Sequence, residues 1–113
     1  MLRIYSVELE MLEEMKVVIE ELEKRDGDLA RQLRRAAASV ALNTAEGQGS
    51  QGKNRRARYH SAFGSTPSGI SKRVAKETEA CLDVAERLYG VSATASLRDK
   101  VEHVASTLYN LCR

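Results

Sequence analysis

The feature that most constrains this chain is a heptad spacing of its apolar side chains. Ile4, Met11 and Val18 repeat every seven residues, while glutamates fill much of the opposite side of the same segment. A stripe of about three apolar residues in seven is typical of the buried face of a helix in a bundle. With one proline and no tryptophan in 113 residues, the pattern predicts a single all-α domain over residues 1–113.

Turn and capping residues predict the boundaries of the helices. Asp26-Gly27-Asp28 ends the first helix, and Asp28 is the expected N-cap of the second. The second helix is expected from about Leu29 to Glu46, with Gly47 as the residue just past its end. Gly90 closes the third helix, and Ser96-Leu97-Arg98-Asp99 resembles a capping box at the start of the fourth.

Proline at position 67 predicts an irregularity in the third helical segment. Helical character resumes at Arg55 after the glycine-rich loop 47–54. Proline inside a helix removes a hydrogen bond, so we expect a kink or break between about Gly64 and Gly69. The alternative is that Ser65-Thr66-Pro67 forms an N-cap with proline in the first turn.

The second helix is apolar on more than one side. Leu33 and Val40 belong to its core face, but Leu42 projects only about 20° from Arg31 on the opposite side. Small residues surround Leu42, including Ala38. A helix that is apolar nearly all round is usually buried on both sides. We therefore expect a second subunit to cover Leu42 and Ala38, which predicts a homo-oligomer.

Charge is distributed unevenly along the chain. Residues 1–30 carry four basic and nine acidic side chains, residues 31–76 carry ten and one, and residues 77–113 carry four and six. This basic middle predicts a localised positive surface. The alternative is that the basic side chains pair with the acidic ones inside the bundle.

Arginine dominates the basic middle, which favours phosphate as its ligand. Arginine binds phosphates bidentately and stacks on bases. The expected nucleic-acid-binding residues are Lys53, Arg55, Arg56 and Arg58, followed by Arg31, Arg34 and Arg35. Nothing in the pattern specifies a sequence, so we expect non-specific binding to RNA or DNA. A membrane surface is not an expected partner, because the segment lacks bulky apolar residues on one face.

The sequence does not contain a recognisable catalytic or metal-binding pattern. His60 and His103 have no ligand-type residue three or four positions later in the chain, and Cys81 and Cys112 do not form a CxxC pair. We therefore expect no enzyme activity, no metal and no cofactor. Two reduced thiols, with no signal peptide and no apolar run long enough to span a bilayer, predict a cytoplasmic protein.

Residues 32–47, QLRRAAASVALNTAEG, carry a resemblance to a known family. The stretch resembles the signature of the four-helix bundle proteins encoded in intervening sequences of bacterial 23S ribosomal RNA genes. That signature reads Gln-Leu-Arg-Arg-Ala, a small-residue stretch, and Asn-Ile-Ala-Glu-Gly; Thr44 replaces the isoleucine here. Ala62-Phe63-Gly64-Ser65 is similar to the family's Ala-x-Gly-Ser, whereas Thr66-Pro67-Ser68-Gly69 departs from it.

The resemblance implies an up-down four-helix bundle that assembles into a ring-like homopentamer. One branch of the family is the accessory protein of diversity-generating retroelements, which binds nucleic acid and a reverse transcriptase. The family supplies no catalytic residues. Two functions stay open: a nucleic-acid-binding scaffold, and a protein-interaction ring that docks an acidic protein.

The polar residues at the end of the second helix have an expected structural role. We expect Glu46 to pair with Arg55, Arg56 or Arg58, because an unpaired buried acid is costly. Asn43 would satisfy backbone or side-chain groups at the same corner. Asn43, Glu46 and Gly47 are therefore predicted to be structural or interfacial residues.

Overall fold

The architecture follows from four amphipathic helices. The structure is a computed structural model that describes residues 3–48 and 67–112. Its helices are α1 (Arg3–Glu23), α2 (Gly27–Gln48), α3 (Pro67–Tyr89) and α4 (Ala95–Cys112). Each helix contacts the next along the chain, and α4 closes the bundle against α1. The prediction of an all-α four-helix bundle is confirmed.

Neighbouring helices run antiparallel. Ser71, near the start of α3, bonds to the Val40 carbonyl in the second half of α2. The Lys72 ammonium lies 4.2 Å from the ring centroid of Tyr109, near the end of α4. Arg34 of α2 pairs with Glu23 at the end of α1. The order is therefore up-down-up-down, and the end of α2 and the start of α3 lie at the same end of the bundle.

The core is built from the predicted stripes. Met11, Met15 and Leu22 of α1 are buried against side chains from the other three helices. The stripe of α4 is confirmed for its described members, Leu97, Val101, Val104 and Leu108. The spacing of apolar residues before Gly90 also predicts Leu88 as a core residue of α3, and this prediction is wrong because its side chain is 66% exposed.

Two predicted N-caps are wrong by two residues. Asp26, not Asp28, caps α2, since its Oδ1 accepts the Leu29 backbone N–H at 3.0 Å. Thr94, not Ser96, caps α4, because its Oγ1 accepts the Leu97 N–H at 3.1 Å. An N-cap side chain must reach an amide two or three residues ahead. In both turns an earlier residue of suitable type meets that requirement.

The sequence predicts the end of α3 correctly but not the end of α2. Gly90 follows α3 with φ of 69°, the left-handed conformation that glycine adopts without strain, so the predicted helix stop is confirmed. Gly47 is not past the end of α2, because the helix continues to Gln48. Pro67 is the first residue of α3, where its missing N–H costs no helical hydrogen bond. The segment before it lies outside the described residues.

Candidate nucleic-acid interface and a buried polar cluster

The three arginines of α2 lie on its surface, but two of them already have carboxylate partners. Arg31 Nη1 donates to Asp28 Oδ1 at 2.9 Å, one turn earlier in the same helix. Arg34 reaches across to Glu23 at the end of α1. Both pairs are solvent-exposed, and such pairs contribute only about 0–1 kcal/mol. These arginines are therefore partly neutralised in place but can exchange partners at little cost.

Arg35 has a different environment, in the groove between α2 and α3. The groove has a volume of about 590 Å³, and its lining includes Arg31, Arg35, Asp28 and Glu77. Arg35 is exposed and forms no ion pair with another described residue. Two arginines face two acids here, so the groove by itself has no net charge. Arg35 is the α2 arginine best able to accept an external anion.

The remaining candidates, Lys53, Arg55, Arg56 and Arg58, lie outside the described residues. Residues 49–66 carry four basic and no acidic side chains. The described residues carry thirteen basic and sixteen acidic side chains, a formal net charge of −3. The positive net charge of the protein therefore comes from the segment that joins α2 to α3 and from the C-terminal Arg113, not from the helices.

The polar corner at the end of α2 differs from the prediction in one respect. Asn43 is half-buried, and its Nδ2 donates to the Ser39 carbonyl and to Ser39 Oγ, both at 2.9 Å. Its partners thus lie one turn back in the same helix, which is a structural role. Glu46 is exposed, so the expectation of a buried acid is wrong. Whether an arginine pairs with Glu46 is a prediction that concerns residues outside the described ranges.

An apolar surface runs along the outside of α1 and α2. Leu42 is 66% exposed, and Leu9 of α1 is 41% exposed. A separate groove between α1 and α2 is lined by apolar side chains that include Leu12, Ile19 and Ala38, and by the charged residues Lys16, Glu20, Glu23 and Arg34. Leu42 is thus an apolar side chain that the described helices leave uncovered, as expected for an interface residue.

The sequence interpretation missed a buried polar cluster at the α1–α2–α3 junction. Glu8, Thr44 and Ser71 are 0–2% exposed. Thr44 Oγ1 donates to Glu8 Oε2 at 2.9 Å and lies 3.4 Å from Ser71 Oγ. The Ser71 hydroxyl donates to the Val40 carbonyl at 2.9 Å. Three helices therefore meet through one continuous chain of polar atoms.

Glu8 is the unusual member of this cluster. Its Oε1 has no hydrogen-bond partner among the described residues. Burial raises the pKa of Glu8 to about 7, and the hydrogen bond from Thr44 opposes that rise. A signal was available in the sequence, since Glu8 falls in the spacing Ile4–Glu8–Met11–Met15, where every other member is apolar and buried.

Two half-buried pairs join side chains from different parts of the bundle. Lys100 Nζ lies 2.6 Å from Glu14 Oε2 and joins α4 to α1. The hydrogen bond between these two side chains lowers the pKa of Glu14 and raises the pKa of Lys100. The Tyr89 hydroxyl donates to Asp26 Oδ2 at 2.6 Å. These contacts have a structural explanation and do not form a reaction centre.

Cysteine, histidine and acidic side chains are the residues that most often bind metal ions in proteins. Within residues 3–48 and 67–112, no three of them come together in a way that could hold a metal ion. Cys81 is buried, and burial raises the pKa of its thiol. Its environment is that of a core residue, which agrees with the interpretation from sequence.

Comparison with known proteins bears on the whole chain. The family model described as 23S rRNA-intervening sequence protein matches residues 1–110. A search of curated proteins and a search of solved structures each found no significant match. None of the described helices is long and apolar enough to cross a membrane.

Proposed function

The chain belongs to the family of 23S rRNA-intervening sequence proteins, and from this premise we propose that it is a non-enzymatic, homo-oligomeric scaffold that binds RNA or DNA without sequence specificity. The observation that carries the proposal is the separation of charge. Four basic and no acidic residues lie in segment 49–66, whereas the described residues have a net charge of −3.

Electrostatics explains why such a segment favours a polyanion. Each phosphate that a cation neutralises releases condensed counterions, and this release drives non-specific binding. Lys53, Arg55, Arg56 and Arg58 are the proposed main contacts, with Arg35 next. Arg31 and Arg34 contribute less, because each would first have to leave its carboxylate partner.

Assembly would strengthen this weak site. The exposed Leu42, together with Leu9 and the groove between α1 and α2, supports a second copy as the covering partner. We propose a pentamer, on the resemblance to ring-forming members of the family. A ring repeats segment 49–66 on every subunit, and linked weak sites raise the overall affinity for a polymer that spans several of them.

The proposed setting is the cytoplasm, with a reverse transcriptase or another nucleic-acid enzyme as a protein partner. This part of the proposal rests on the resemblance to the accessory proteins of diversity-generating retroelements. The scaffold would bring such an enzyme and its nucleic-acid template together. This role requires no catalytic group on this chain.

The test is equilibrium binding of the full chain to mixed-sequence RNA and DNA at about 50 mM salt, where phosphate contacts are strong. The variant R55Q/R56Q/R58Q removes three charges from the segment. The matched control K24Q/R25Q/R87Q removes three charges from exposed residues at the other end of the bundle, near the Tyr89–Asp26 contact. We expect the first variant to lose affinity for all sequences alike and the control to lose little.

Two results would contradict the nucleic-acid proposal. One is the absence of binding by an intact wild-type oligomer at this salt concentration. The other is an equal loss of affinity in both variants, which would assign binding to net charge rather than to the segment. Light scattering on the same samples shows whether assembly is preserved.

The second candidate function is docking of an acidic protein without any role for nucleic acid. The pairs Arg31–Asp28 and Arg34–Glu23 favour this function, because in both of them an arginine of α2 binds a carboxylate. Polyglutamate serves as the probe in the same assay. Binding of polyglutamate, without binding of RNA or DNA, would favour this function over the first.

A further inference from the structure

We propose that the Glu8–Thr44–Ser71 cluster is a proton-dependent contact that holds α1 to α2 and α3 when the Glu8 carboxyl is neutral and loosens them when it ionises. The geometry that carries this inference is a fully buried acid with a single described partner. It depends neither on assembly nor on nucleic-acid binding, so its test is independent of the proposed function.

The hydrogen-bond chain provides an acceptor for the proton of a neutral Glu8 carboxyl. A protonated Glu8 can donate from Oε2 to Thr44 Oγ1 across the 2.9 Å contact. The Thr44 hydroxyl can then donate to Ser71 Oγ at 3.4 Å, where either oxygen can be the donor. Ser71 completes the chain by donating to the Val40 carbonyl at 2.9 Å. Every hydroxyl proton has an acceptor in this arrangement.

The ionised acid fits the same positions poorly. A carboxylate can only accept hydrogen bonds, and Thr44 supplies one, to Oε2. Oε1 is left without a donor among the described residues, and the side chain has no contact with bulk solvent because it is 0% exposed. A buried charge with so few hydrogen bonds is costly, so ionisation favours conformations that expose Glu8.

No described charge compensates Glu8 from the neighbouring helices. Val40 and Ala75, one turn from Thr44 and Ser71, are apolar and buried, as is Leu108 on α4. Among the described residues, the titratable side chains within three residues of a cluster member along the chain are Tyr5 and Glu10 on α1, Glu46 on α2, and Lys72 and Arg73 on α3. Tyr109 of α4 contacts Lys72. The pKa of Glu8 responds to burial and to Thr44, and not to any of these.

The direction of the pH effect follows from the pKa. The folded-state pKa of Glu8, about 7, lies above its ordinary value of 4.5. The folded state therefore binds the proton more tightly, and stability decreases as the pH rises from the ordinary value through about 7. From these two pKa values, the folding equilibrium constant should be roughly 70-fold larger at about pH 5 than at about pH 8.5.

The experiment compares the full-length wild type with Glu8→Gln, a neutral side chain of the same shape. Glu10→Gln is the matched control, since it removes an exposed carboxylate two residues away. Denaturant unfolding across this pH range should show a strong decrease in wild-type stability that Glu8→Gln flattens and Glu10→Gln retains. An undiminished decrease in Glu8→Gln would overturn the proposal.

Hydrogen exchange of the wild type and of Glu8→Gln, measured at the same alkaline pH, provides a second readout. At a single pH the intrinsic exchange rates of the two proteins are the same and cancel in the comparison. Amides of residues 4–12 and 40–46 should exchange faster in the wild type than in Glu8→Gln. Equal rates would overturn the proposal. Should Glu8→Gln fail to fold, a carbon-13 NMR titration of the wild-type glutamate carboxyls decides. One carboxyl titrating near neutral pH supports the proposal, and titration of all of them in the ordinary acidic range overturns it.

Discussion

The Tyr89 hydroxyl donates a 2.6 Å hydrogen bond to Asp26 Oδ2, which ties the last residue of α3 to the turn between α1 and α2. The same carboxylate accepts the Leu29 backbone N–H through its other oxygen. Asp26 therefore caps α2 and anchors α3 at once. The hydrogen bond from Tyr89, followed by that from Leu29, lowers the pKa of Asp26.

Tyr89→Phe should lower the melting temperature by a few degrees at neutral pH. The effect should disappear in acid, because a group with a depressed folded pKa stabilises the fold above its ordinary pKa, and the contribution is lost as the pH falls. Thermal unfolding at the two pH values measures this. Tyr109→Phe, which keeps the ring beneath Lys72, is the control. A pH-independent difference would contradict the assigned role of Asp26.

Leu42→Glu should dissociate the oligomer while leaving each bundle folded. The substitution puts a charge without a partner into a contact that we propose to be buried between subunits. Val17→Glu is a close control, since Val17 of α1 is 67% exposed against 66% for Leu42 of α2. Light scattering and circular dichroism measure assembly and folding. A wild-type monomer of 12.5 kDa would contradict the interface.

Glu23→Gln should increase affinity for RNA at low salt by up to roughly fivefold, because an exposed ion pair is worth at most about 1 kcal/mol and its loss releases Arg34. Glu20→Gln removes the same charge from the same groove, but no ion pair with a described residue involves Glu20. Fluorescence anisotropy compares the two variants. An equal change in both would mean that Arg34 takes no part in binding.

Thr44→Val should destabilise the bundle by about 1–3 kcal/mol, the usual cost of leaving a buried polar group without its partner. The hydrogen bond from Thr44 holds the pKa of Glu8 down, so the pKa of Glu8 should rise further in the variant. Denaturant unfolding gives the first quantity and a carboxyl NMR titration the second. An unchanged stability would mean that Thr44 contributes packing alone.

The sequence predicted the parts of this fold that depend on periodicity. Met11, Val18, Val101 and Leu108 occupy the buried positions that their spacing indicated. Leu88 follows the same spacing but lies two residues before Gly90, close to the end of α3, and it is 66% exposed. Neighbouring side chains project about 100° apart around a helix, and here the half-buried Tyr89 packs against the core while Leu88 does not.

Capping and the buried cluster depend on distances that periodicity does not contain. Asp26 and Asp28 are both good capping residues, and only the path of the turn brings Asp26 Oδ1 to within 3.0 Å of the Leu29 amide. Glu8 occupies a core position by spacing, but the sequence interpretation assigned it no role. Its partners Thr44 and Ser71 come from two other helices, which only the packing brings together.

The salt dependence of RNA affinity tests the central claim most directly. Each phosphate contact contributes a slope of about −0.9 for duplexes and about −0.7 for single strands to the log–log plot of affinity against salt. The account predicts a steep slope for the wild type that is the same for unrelated sequences. In R55Q/R56Q/R58Q the slope should be shallower by roughly two to three for each subunit that the nucleic acid contacts. An affinity that does not change with salt, or a slope that the variant leaves unchanged, would contradict it.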